Sequence, residues 1–69
     1  MSKQLKLAVM YFAEIYQGAV VGSTLEESYS AAEQVAHEFK HRYANTHGLY
    51  PDWCVADYVR NEAHRYSDM

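Results

Sequence analysis

Leu5-Lys6-Leu7-Ala8-Val9-Met10-Tyr11-Phe12-Ala13-Glu14-Ile15-Tyr16 is the stretch on which the fold class turns. Read with a period of 3.6, Leu5, Ala8, Val9, Phe12 and Tyr16 fall on one stripe that Ala19 extends. Read with a period of two, Leu7, Val9 and Tyr11 alternate with Lys6, Ala8 and Met10, as in a half-buried strand. The helical pattern persists over more residues, so the spacing predicts a helix from about residue 3 to 18. Gly18 and Gly22, around the β-branched pair Val20-Val21, mark its end. Leu7, Met10 and Tyr11 lie opposite the stripe, which makes this helix apolar nearly all round. Such a helix is normally covered on two sides.

Downstream, Ser23 or Thr24 is placed to cap a second helix, with Glu26 and Glu27 at capping-box spacing. Leu25, Tyr29, Ala32, Ala36, Phe39 and Tyr43 recur at steps of four, three, four, three and four. This pattern predicts a buried seam on a helix over about 24–46, stopped by Gly48. Glu26, Glu27 and Glu33 load its first half and Lys40, His41 and Arg42 its last turns, complementing the helix dipole. Pro51 and Asp52 suit the first turn of a third helix over about 51–66. Val55, Tyr58, Val59 and Tyr66 form its stripe, with Ala63 at the edge. Glu62 falls on the same side and calls for a cationic or hydroxyl partner. Leu49, Tyr50 and Trp53 are expected to pin the connection. The expected architecture is an all-α, three-helix single domain spanning 1–69, with antiparallel neighbours.

Size and composition narrow the function classes. A chain of 69 residues buries only ~60% of the surface its unfolded form exposes, so it depends on supplementary contacts. Cys54 is the only cysteine, which rules out a disulfide within one chain and suits a reducing, cytoplasmic setting. Nine acidic residues outnumber six basic ones. Lys3, Lys6, Lys40, Arg42, Arg60 and Arg65 form no block, so nucleic-acid binding is disfavoured. The longest apolar run is far short of the ~20 residues of a membrane span. Residues 5–13 do not read as a signal peptide either, because Glu14 follows without a small-residue cleavage site. Seven tyrosines supply rigid surfaces with polar tips, which suit protein interfaces. An over-apolar first helix and this tyrosine content together predict a homodimer or another protein partner. Leu7, Met10, Tyr11, Tyr50 and Trp53 are the candidate contacts.

One run carries the grammar of a metal site. His37-Glu38-Phe39-Lys40-His41 spells H-E-x-x-H, and His47 follows six residues later. Histidines four apart share a helix face, where they can hold one ion while a glutamate polarises its water. The run resembles the zinc signature of the metzincin metalloproteases, H-E-x-x-H-x-x-G-x-x-H, with Ala44 where that family has glycine. The resemblance covers eleven residues. It implies zinc held by His37, His41 and His47, with Glu38 as general base of a minimal hydrolase. The family's glycine lets the chain turn so that the third histidine returns to the ion, and Ala44 has no such tolerance for positive φ. A continuous helix would point His47 about 80° away from His37. The residues themselves therefore read as a solvated, histidine-rich helix face without a cofactor. Cys54, Asp57 and His64 do not form a nucleophile triad, since ten residues along one helix separate Cys54 from His64. The expected function is a small non-enzymatic interaction module, a regulator or inhibitor of a larger bacterial or phage-host protein. Its rival is a zinc-binding protein.

Overall fold

The computed structural model describes residues 2–47 and 51–67. Three helices fill it: α1 (Lys3–Ala19), α2 (Leu25–His47) and α3 (Asp52–Ser67), with no strand among the described residues. The segment that alternated like a strand is helical throughout. Its period-3.6 face finds a core, and the alternating reading would have left half of that face in water.

Local chemistry sets the helix ends. Ser2 caps α1, its Oγ accepting the Leu5 N–H at 3.2 Å. The helix closes when the Val20 N–H reaches the Tyr16 carbonyl at 2.8 Å, and Gly22 then supplies the one positive φ, 88°, among the described residues. That backbone angle suits glycine and would strain an L side chain. Of the two candidate caps for α2, Thr24 serves: its Oγ1 accepts the Glu27 N–H at 3.1 Å. A cap of this kind contributes about 1 kcal/mol.

Successive helices run antiparallel, so α1 and α3 are parallel. Ser2 meets Asp52 at one end of that pair, while Phe12 and Tyr16 meet Tyr66 towards the other. The α1–α3 contact is the most extensive in the bundle. Leu5, Ala8, Val9, Phe12 and Ala13 of α1 are buried with Ala32 and Ala36 of α2 and Val55, Ala56, Val59 and Ala63 of α3. Alanines outnumber the larger side chains there, which lets the helix axes approach closely. Phe12 is the largest fully buried side chain, and its ring packs against Tyr16 and Tyr66 at centroid distances of 6.0 and 5.5 Å.

Several details differ from the sequence reading. Leu25 is exposed, so the α2 seam begins at Ser28, which is fully buried. The reason is length: 23 residues make α2 about 34 Å long, against ~25 Å for the 17 of α1, so part of it extends past the facing helices. Ser28 satisfies itself by donating its hydroxyl to the Thr24 carbonyl at 2.9 Å. Ala63, expected at an edge, is fully buried, and Ala13 and Ala56 join the core. Trp53 is more than half exposed, and the connection it was expected to pin lies outside the described residues. Glu62 has its cation in Arg65, 3.5 Å away one turn along the helix. Gly48, Leu49 and Tyr50 lie outside the described residues.

The Ser2–Asp52 contact ties the N-terminal ends of α1 and α3: the Ser2 N–H donates to Asp52 Oδ2 at 3.1 Å. Hydrogen bonds from the Ser2 side chain and backbone hold the Asp52 carboxyl below its ordinary pKa against the opposing effect of desolvation, with a lesser contribution from the Lys40 charge. A carboxyl with a depressed folded-state pKa stabilises the fold above its unfolded value, and the gain disappears as pH falls through the folded value. The urea midpoint of Asp52→Asn is therefore expected to lie below that of the unaltered chain at pH 7. The gap should start to narrow as pH falls through the ordinary aspartate value of about 3.9, and close only once the folded-state carboxyl itself takes up its proton at lower pH. A gap unchanged between neutral and acid pH would show that the charge of Asp52 is not what holds this junction.

Candidate functional site

Two sets of residues stood out in the sequence, and the structure treats them differently. The first two histidines of the run lie on the solvent side of α2. His37 and His41 are exposed and one turn apart, their rings side by side with centroids 6.4 Å apart and planes 15° from parallel. The helix continues without a break through Ala44 to His47. The position of the third histidine is therefore ten residues up the same rod, about 15 Å along the axis from His37. The turn that would bring it back is absent from the backbone; the side chain of His47 lies outside the described residues.

Glu38 opens on a different cleft from His37. Glu38 lines a shallow groove with Tyr16, Gln34, Val35, Glu62 and Tyr66, whereas His37 borders Leu5, Val9, Glu33 and Lys40. Lys40 brings a positive charge to the histidine side, which disfavours a second cation there. Among the described residues, no three histidine, cysteine, aspartate or glutamate side chains are grouped to hold a metal ion. No helix among them is long and apolar enough to cross a membrane. Cys54 is half-buried, as a small filler of the α3 flank would be.

The second set lies together on the outer side of α1 and α3. Leu7 is 49% exposed, Met10 45%, Tyr11 39% and Trp53 56%. Helix geometry accounts for the first two: with Leu5, Val9 and Phe12 turned into the core, residues 7 and 10 must face away from it. The parallel register of α3 then sets Trp53 and Tyr11 along one margin of this ridge. Trp53 shares an open cleft with Gln4, Ala56, Asp57 and Arg60. One α1 turn beyond Leu7, the Tyr11 ring meets His64 edge-on at 6.0 Å. Arg60 and Asp57 form an exposed ion pair of 3.2 Å between these two aromatic side chains.

The cleft beside Trp53 is open to solvent. Leu7 and Met10 give the surface an apolar middle, and Gln4, Asp57 and Arg60 give it a polar edge. Val21 and Leu25, also exposed, sit at the α1–α2 connection, away from Trp53. Tyr50, the remaining candidate contact, lies outside the described residues. The sequence reading missed Gln4, Arg60 and His64 as neighbours of this surface. The parallel pairing of α1 with α3 creates that neighbourhood, and no residue pattern within either helix encodes it. No protein-family model matches the chain, and no curated protein or solved structure matches it significantly.

Proposed function

We propose that this chain is a non-enzymatic helical interaction module that docks through the outer ridge of α1 and the adjoining first turns of α3. The supporting observation is the exposure of Leu7 and Met10 on the side of α1 that faces away from the core, with the partly exposed Tyr11 and Trp53 along its α3 margin. Fully burying one such side chain is worth about 1.5–3 kcal/mol, and roughly half of that remains to be gained from a partner while the chain is alone. Scattered single apolar residues need no explanation, but a group of four on one side of so small a domain marks an interaction surface. Tyrosine and tryptophan are also the residue types that most often dominate interface energetics. A protein that acts by covering or assembling a larger machine needs such a face and no reaction centre. The finer reading is thus a regulator or inhibitor of a larger protein.

A photo-crosslinking amino acid at Met10, compared with one at the exposed Glu27 of α2, tests this in an extract of the native host. Covalent protein adducts are expected from position 10 and not from position 27. Equal labelling at the two positions, or none at either, would remove the docking face.

A further inference from the structure

The exposed ridge of α1 has an internal order that identifies its occupant. Lys3, Leu7, Met10 and Glu14 recur at steps of four, three and four, and all four are exposed. This spacing keeps them in a stripe about 60° wide, diametrically opposite Leu5, Ala8 and Phe12. Its two ends carry opposite charges. Lys3 and Glu14 stand about 16 Å apart along the axis, too far to pair within one chain. Neither has an ion pair among the described residues.

We infer that the ridge binds a second copy of itself, α1 against α1 in antiparallel register, about a twofold axis level with the midpoint between residues 8 and 9. This rests on the docking reading above and names its partner. The arithmetic of the stripe carries it. An antiparallel pair matches positions whose numbers share one sum. Three plus fourteen and seven plus ten both give seventeen. One register therefore sets Lys3 against the partner's Glu14 and Leu7 against the partner's Met10, each pair occurring twice. Apolar contacts fill the centre, and an ion pair closes each end. That is the arrangement a self-complementary twofold interface requires. Parallel pairing would instead set Lys3 against Lys3 and Glu14 against Glu14. The same antiparallel register brings Trp53, beside Gln4, close to the level of the partner's Tyr11. The seam is one helix wide, at the small end of specific interfaces, so its dissociation constant should be about micromolar.

Sedimentation of the full-length chain from about 1 to 500 μM tests the pairing against that affinity. Lys3→Glu and Glu14→Lys each place like charges at both ends of the seam and are expected to weaken the dimer about tenfold or more. The double variant, Lys3→Glu with Glu14→Lys, restores both pairs in reversed sense and should return the dissociation constant to that of the unaltered chain. Circular dichroism of each variant checks that these exposed changes leave the helices intact. A dimer indifferent to the single changes, or not recovered by the double one, would overturn this register. So would a chain that stays monomeric at the highest concentration. If that monomer still forms adducts with another protein from position 10, the docking reading survives and self-pairing fails. Without adducts, both fail.

Discussion

Replacing Phe12 with alanine is expected to leave little folded protein at 25 °C. Phe12 is 1% exposed and is the largest side chain to be fully buried. Its neighbours in the core are mostly alanines and valines. A phenylalanine-to-alanine change in a packed core costs about 3–5 kcal/mol, from lost transfer energy plus the cavity left behind. Here the cavity cannot collapse easily, because Tyr16 and Tyr66 are already fixed against each other at a 5.2 Å centroid distance. At about 0.05–0.15 kcal/mol per residue, the whole domain has roughly 3–10 kcal/mol to lose. The far-UV circular dichroism melt should therefore fall by at least ~15 °C or vanish. Phe12→Leu, which keeps much of the volume, should remain folded. Tyr16→Phe, which keeps the ring, should be close to neutral. A melt of Phe12→Ala within a few degrees of the unaltered chain would show that the aromatic cluster does not hold the bundle.

The same side chain shows which parts of this fold are legible in a sequence. Periodicity places Leu5, Ala8, Val9 and Phe12 on one stripe, and those four residues are buried. The capping signals before α2 and the glycine after α1 are equally local, and they work through bonds spanning three or four residues. What periodicity lacks is the identity of the facing helix. Within α3, Val55 and Val59 mark the inward face. Nothing in that helix says that this face lies along α1 in parallel, or that Ala56 and Ala63 would be as deeply buried. Leu25 shows the limit from the other side. It continues the α2 pattern perfectly, yet it is exposed because α1 and α3 are shorter than α2. Helix length relative to the neighbours is a tertiary quantity that no single stripe contains.

The candidate surfaces divide along the same line. The ridge of Leu7 and Met10 follows directly from the stripe opposite it, since a helix that buries one side must show the other. The histidine run looked like a site because one-dimensional spacing matched a motif whose function depends on a turn. With Ala44 inside a continuous helix, the spacing persists while the geometry does not. Trp53 is an intermediate case. Its exposure was not legible from α3 alone, but its place beside Gln4 follows once the two helices are known to run in parallel.

Enlarging Ala8 provides the sharpest test of how tightly that parallel pair packs. Ala8 has no exposed surface. On the helical wheel it lies between Gln4 and Tyr11, which border α3 residues, and Phe12, which packs on Tyr66 of the same helix. Ala8→Leu adds three carbons at a fully buried position on the α3 side of α1. By hydrophobicity alone the change should stabilise, and leucine is nearly as good a helix former as alanine. Close packing decides the sign instead. At native packing density, extra atoms at a buried position make the helices separate or the leucine leave its preferred rotamer, at a cost of about 1–3 kcal/mol. For a domain of this size the melting temperature should drop by roughly 5–20 °C. Ser30→Leu, the same residue introduced at an exposed position of α2, should move it by a few degrees at most. If Ala8→Leu raised the melting temperature instead, α1 and α3 would have to be spaced by side chains other than their alanines. The parallel orientation, held by the Ser2–Asp52 and Phe12–Tyr66 contacts, would stand, but tight packing at Ala8 would not be what sets the helix spacing.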